Sequence, residues 1–158
     1  MQSTALNQVG SDGSPDQCLV FILRQQLYAV PILAVQEIRR YSEPTPLPNA
    51  PPYVLGLINL RGTVIPVFDL RMRFGVPSPV YDRLTVIVIV IVGERNVGIV
   101  ADDVSKVLTL GEGDVRPSPE MAAQVDLTFV QGVLREGERL VTLLDVERLL
   151  GPDLRGIE

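Results

Sequence analysis

Gly56-Leu57-Ile58-Asn59-Leu60-Arg61-Gly62-Thr63-Val64-Ile65-Pro66-Val67-Phe68-Asp69-Leu70 decides the fold: two apolar runs, 57–60 and 64–68, meet about an Arg-Gly tip. Branched residues suit a pleated, buried sheet, and Gly62 supplies the positive φ that a tight hairpin turn demands. The hairpin holds Arg61 at a fixed surface point, where its planar fork matches carboxylates and suits a binding hot spot. After it, Asp69 caps a short helix over 70–74 that Gly75 ends.

Upstream, residues 18–24 and 27–33 form an opening hairpin about Gln25-Gln26, and 35–41 pairs next. Pro44, Pro46, Pro48, Pro51 and Pro52 bar helix and central strand, so this segment crosses the surface as a stiff connector. Downstream, Val76-Pro77-Ser78-Pro79 is the boundary of the first half. Strands at 84–92 and 97–100 meet across Gly93-Glu94-Arg95-Asn96, 104–110 is a third strand, and 111–119 is a turn-rich connector. The segments 129–134 and 140–144 make a last hairpin, after which Asp145 caps 146–150 and Gly151 ends that helix. Residues 1–16 lack the basic start and apolar centre of a signal peptide and read as a disordered tail; 151–158 is a short C-terminal tail.

The halves repeat. Tyr28-Ala29-Val30-Pro31-Ile32 with Val35 and Ile38 parallels Val97-Gly98-Ile99-Val100-Ala101 with Val104 and Val107 at an offset of 69. Pro46 and Pro48 parallel Pro117 and Pro119 at 71, and Gly56, Asp69 and Gly75 parallel Gly132, Asp145 and Gly151 at 76. The repeat predicts two similar all-β units of about five strands, the first near 17–76 and the second near 80–150, each with a terminal helical turn. Neither buries much alone, so an apolar groove should run between them.

Composition excludes several chemistries. The 14 Lys and Arg against 19 Asp and Glu leave a net charge of −5, with no basic field for nucleic acid or anionic lipid. There is no His, the commonest general base and metal ligand, and the single Cys18 makes neither a zinc cluster nor an internal disulfide. Cys18 reads as a small core residue of a protein in a reducing compartment. The run 84–92 falls short of the ~20 residues that a membrane-spanning helix needs, so it is a buried strand of a cytoplasmic protein without direct membrane insertion. Asp102 and Asp103 are neighbours that point to opposite faces, and Gly111-Glu112-Gly113 lacks the strand and helix of a nucleotide site. Asp69 and Asp145 are accounted for by helix capping. Glu37 reads either as a solvated strand-face charge or as a contact, and Arg61 either as an ordinary turn residue or as a binding residue. The residues alone describe a two-lobed β binding module without naming its partner, and they assign no cofactor.

Several ordered motifs carry a resemblance across 18–150 to the CheW family of chemotaxis coupling proteins. They are Tyr28-Ala29-Val30-Pro31 with Val35-Gln36-Glu37-Ile38, Gly56 to Gly62, Val64-Ile65-Pro66-Val67-Phe68-Asp69-Leu70-Arg71, Val97-Gly98-Ile99-Val100, Val104-Ser105-Lys106-Val107, Arg116-Pro117-Ser118-Pro119-Glu120, and Leu144 to Leu150. The resemblance implies two SH3-like five-stranded β barrels and no enzyme activity. It implies an adaptor between the cytoplasmic helical tip of chemoreceptors and the regulatory domain of the histidine kinase CheA, recruited to receptor arrays. By position it implies a receptor-facing set of Val35, Glu37, Ile38, Arg61, Gly62, Val86, Gly98 and Val104. It also implies a kinase-facing set of Pro44, Val64, Arg116 and Met121, where Met121 replaces an aromatic common in the family. Rival readings are the same adaptor in a non-flagellar pathway, a small-ligand-binding β barrel, and an enzyme. No cluster of strand polar residues supports the second, and no nucleophile beside a base supports the third.

Overall fold

A computed structural model describes residues 16–76, 79–111, 114–116 and 129–155. The strands are β1 Gln17–Leu23, β2 Gln26–Pro31, β3 Val35–Arg40, β4 Val54–Leu60, β5 Thr63–Asp69, β6 Val86–Val92, β7 Arg95–Ala101, β8 Asp103–Thr109, β9 Val130–Glu136 and β10 Arg139–Leu144. Helix α1 (Leu70–Arg73) follows β5, and α2 (Val146–Arg155) follows β10. The expected hairpins and caps are present: Asp69 accepts from the Arg71 amide at 3.0 Å, and Asp145 Oδ1 accepts from the Arg148 amide at 3.2 Å.

The fold is all-β, with two five-stranded sheets in the orders β8-β1-β2-β10-β9 and β3-β6-β7-β5-β4. This corrects the expected division at 17–76 and 80–150, because each sheet draws strands from both halves of the chain. Both sides of β2 are taken, by β1 and β10, so the 3-10 turn Ile32–Ala34 carries the chain across to the other sheet. At the same place in the second copy, Asp102 makes the return crossing between β7 and β8. Parallel ladders of β2 with β10 and β5 with β7 then lock the exchange.

The repeat itself is present down to its irregularities. The register shift between Val20 and Phe21 against β8 recurs between Val35 and Glu37 against β6, where Val20↔Lys106 is the counterpart of Ile89↔Glu37. A second shift, between Val54 and Gly56, recurs between Leu144 and Leu143 opposite Val130 and Gly132. The proline-rich connector does more than cross the surface: Thr45 bridges Leu57 through two hydrogen bonds of 2.8 Å, and Arg116 bridges Val133 in the same way. These bridges explain the paired glycines. A Cβ on Gly56 would lie 2.0 Å from the Thr45 carbonyl oxygen, and one on Gly132 would lie 2.7 Å from that of Arg116.

Alternation along the strands sorts the core into three layers. Leu19, Phe21, Val88, Val90, Ile99 and Leu144 meet between the sheets, Cys18, Val20, Ala29 and Leu143 fill the inside of one sheet, and Ile65, Val67, Ile87 and Ile89 fill the other. Strands buried on both faces read as continuous apolar runs, which is why β6 is Val-Ile-Val-Ile-Val-Ile-Val. Neither curled sheet closes through a backbone ladder. Ion pairs join the margins instead: Glu37 on edge strand β3 meets Arg61 just beyond β4, and Lys106 on edge strand β8 meets Glu136 on edge strand β9.

One boundary departs clearly from expectation. Helix α2 runs through Gly151 and Pro152 to residue 155, so the proposed tail begins inside a helix. Leu154 is buried, its carbonyl accepts from Arg95 Nη1 at 2.9 Å, and Asp153 is bound by Arg73 and Tyr53. These tertiary contacts outweigh the local stop signals.

Candidate protein-docking site

The β4–β5 tip is built around backbone strain. Arg61 has φ +52° and Gly62 φ +89°, positive values at both central positions, as the right-handed strand twist prefers in a two-residue hairpin turn. The Gly62 amide donates to Asn59 Oδ1 at 2.9 Å, which fixes the turn. In the repeat, the position of Arg61 is held by Gly137 at φ +66°. An arginine in the left-handed region costs roughly 1–2 kcal/mol that glycine avoids, so Arg61 occupies a strained position where the second copy has a relaxed one.

Arg61 reaches Glu37, donating from Nη2 to Oε1 at 2.6 Å, while Arg39 Nη1 lies 3.7 Å from the other carboxylate oxygen. The Arg61 side chain is 72% exposed and Glu37 30% exposed, so the pair adds little to stability. Ile38 and Val64 are large exposed apolar residues on the strands flanking this pair. Val35, Val86 and Val104 are partly buried against the layer between the sheets. With Arg39, Arg40 and Arg61 against Glu37, this margin is cationic in an acidic chain.

Not every implied residue belongs to this surface. Gly98 is buried in the interior of its sheet, where a Cβ would lie 2.8 Å from Ile87 Cγ2 and 3.3 Å from Val67 Cγ2. Its role is to let those side chains approach, and it presents nothing to a partner. Pro44 is also buried, drawn in by the Thr45–Leu57 bridge. Val64 and Arg116 are exposed, and Met121 lies outside the described residues.

A buried charge cluster escaped the reading of the sequence. The Arg71 side chain is 3% exposed and donates to both oxygens of Asp69, at 3.0 and 2.8 Å, to the Val80 carbonyl at 3.0 Å, and to Asp102. Tyr81 donates to Asp69 Oδ2 at 2.6 Å, and its ring centroid lies 5.0 Å from the guanidinium. Burial pulls the Arg71 pKa down, but hydrogen bonds and charge from Asp69 and Asp102 hold it above the ordinary guanidinium value. The cluster ties the end of β5 to the β7–β8 crossing. Its ion pairs are satisfied internally, which makes it a fastening of the fold. Cys18 is equally inert: burial pushes its thiol up to about 11. Among the described residues no group of three or more His, Cys, Asp or Glu could hold a metal, and no helix is long and apolar enough to cross a membrane.

Comparison with known proteins gives consistent matches. The CheW-like domain family matches residues 17–152. The chemotaxis protein CheW of Klebsiella aerogenes is 41% identical over 135 residues, covering 85% of this chain and 81% of that protein. The chemotaxis protein CheW of Rhizobium meliloti is 36% identical over 139 residues, covering 88% and 90%. The crystal structure of the scaffolding protein TtCheW from Thermoanaerobacter tengcongensis superposes with a TM-score of 0.79 at 30% identity, covering 86% of this chain and 88% of that one.

Proposed function

This chain belongs to the CheW-like domain family and is a chemotaxis coupling adaptor, and we propose that it joins the cytoplasmic helical tip of chemoreceptors to the regulatory domain of the histidine kinase CheA. It acts without catalysis, at the cytoplasmic face of receptor arrays. The observation that carries the receptor side is Arg61, held at a rigid hairpin tip and paired with Glu37 of β3, the strand that also carries exposed Ile38. The same contrast recurs at Arg24, matched by Gly93, so what marks Arg61 is its tip position together with its 2.6 Å pairing across the sheet margin to Glu37. Apolar side chains supply contact area for an amphipathic helix, and the charged pair sets its register. The kinase side rests on Val64 and Arg116, exposed on different sheets. An adaptor that bound active and inactive assemblies equally would transmit nothing, so its bound geometry must favour one kinase state.

The test is co-sedimentation with a receptor cytoplasmic fragment and CheA, with kinase turnover read in the same sample. Arg61→Asp should weaken receptor binding at least about tenfold, a loss of ~1.4 kcal/mol or more, with an unchanged melting temperature. Arg61→Gly relaxes the turn and removes the charge, so it should fold at least as stably and bind as weakly. Native affinity in both variants would remove the hairpin tip from the site, and failure of the native protein to bind either partner would overturn the coupling reading.

A further inference from the structure

One side-chain donor on the β3 margin has no acceptor. In the ladder with β6, Glu37 lies opposite Ile89 and Arg39 opposite Ile87. Residues opposite one another share a face, so both charges stand on the side of the inner apolar layer of their sheet. That side opens at the margin of edge strand β3, where Arg61 reaches over from beyond β4. The Glu37 carboxylate takes Arg61 Nη2 on Oε1 at 2.6 Å, whereas Arg39 Nη1 stays 3.7 Å from Oε2, beyond hydrogen-bond distance. Arg39 Nε is buried without any hydrogen-bond partner, and it is the single such side-chain atom among the described residues. Arg71 shows what a structural arginine looks like in the same fold: its Nε and both Nη atoms all donate to protein oxygens.

A buried donor left unpaired disfavours the folded state, and each such group in a native structure calls for an explanation. Packing supplies none, because a methionine of similar length would fill the place without the unpaired N–H. Charge supplies one. Two guanidiniums meet a single carboxylate here, in a chain whose net charge is −5. We propose that Arg39 is a further receptor-contact residue, whose Nε and Nη fork takes a carboxylate of the docked receptor helix. That carboxylate supplies the second acid of a network of two cations and two anions with Glu37 and Arg61. An arginine fork holds a carboxylate through two parallel N–H bonds, which neither the loose contact with Glu37 nor a lysine provides. The Arg39 side chain is 36% exposed, so the acceptor approaches from solvent, and turning the fork outward gives up only the 3.7 Å contact. The partner that fits carries Asp or Glu beside its apolar stripe, where it passes the β3 margin.

The inference rests on the receptor reading above, and its test separates the two. In protein labelled with nitrogen-15 on arginine, the Arg39 Nε–H signal is assigned by its loss in Arg39→Lys. Saturation with a receptor cytoplasmic helical-hairpin fragment should move that signal downfield, as a charge-assisted hydrogen bond does. Arg39→Lys keeps the charge and loses the fork, so it should bind the fragment at least about fivefold more weakly. Arg39→Met removes the unpaired donor, so it should bind as weakly yet melt no lower than the native protein. Four outcomes would overturn the role of Arg39 while leaving the receptor reading intact: an Nε–H signal unmoved in the complex, native affinity in Arg39→Lys, a lowered melting temperature in Arg39→Met, or a shift produced by the CheA regulatory domain and not by the fragment. Failure of the native protein to bind the fragment would overturn both.

Discussion

Arg71 and Asp69 are a buried ion pair whose donors and acceptors are all engaged, with Asp102 and Tyr81 completing the cluster. Removing one partner leaves an uncompensated charge out of water, which costs about 3–5 kcal/mol, whereas replacing a whole pair by well-packed apolar groups is often neutral. Arg71→Met should therefore lower the free energy of unfolding by about 3–5 kcal/mol, measured by urea denaturation. Asp69→Asn/Arg71→Met should recover part of that loss. A single variant costing less than about 1 kcal/mol, the range of an exposed pair, would show that Asp69 is not stranded. Half of this residue-scale picture was legible in the sequence. The cap by Asp69 is a local event, two positions from the amide it accepts. The ion pair with Asp102 spans 31 positions and follows no period, so nothing in the sequence pattern joins its members. Arg61 was legible for the opposite reason: its tip, turn and flanking runs are contiguous.

At the scale of elements, strand positions followed from alternation and turn residues, and most ends fell within two residues of those read from the sequence. Helix α2 is the instructive exception. Gly151-Pro152 carries the local signs of a helix end, yet the helix continues because side chains elsewhere hold its last turn. Arg73 pairs with Asp153 at 2.8 Å while stacking over Tyr53 and Phe129, the Tyr53 hydroxyl donates to Asp153 at 2.9 Å, and Leu154 is 4% exposed. Local propensity could not reveal clamps supplied from Tyr53 just before β4, from α1 and from the segment before β9. Truncation after Leu150 should cost about 2–5 kcal/mol, mostly from the loss of buried Leu154, and calorimetry should show a lower melting temperature. If the truncated chain melts with the native protein, the last turn is ornamental and the sequence-level stop was energetically right.

For the molecule as a whole, the repeat was legible but the exchange of strands was not, for a reason inherent in repetition. When two copies are alike, a strand's partner in its own copy and the equivalent partner in the other satisfy the same pattern. The pairing of β2 with β10, which takes the side that β3 would otherwise occupy, decides between them, and no hydrophobic period reports it. The consequence is thermodynamic. Neither half of the chain contains a complete sheet, and although each sheet keeps a smaller apolar layer of its own, the largest layer is shared by both, so loss of one lobe exposes most of the other's buried apolar surface. Val88, fully buried in that shared layer, tests this directly. Two independent barrels would predict that Val88→Asp melts one and spares the other. The exchanged topology predicts that an unpaired buried charge, worth more than the few kcal/mol that hold a domain together, removes both sheets at once. Near-ultraviolet circular dichroism should vanish, and limited proteolysis should leave no stable half-length fragment. The native protein should show a single calorimetric transition whose enthalpy equals the van't Hoff value. A protease-resistant half in the variant would mean that one lobe can close on its own strands, and would return the molecule to two separable barrels. Cooperative loss would establish that one shared core holds both lobes in fixed relation, the rigidity that an adaptor needs if its bound geometry is to favour one kinase state.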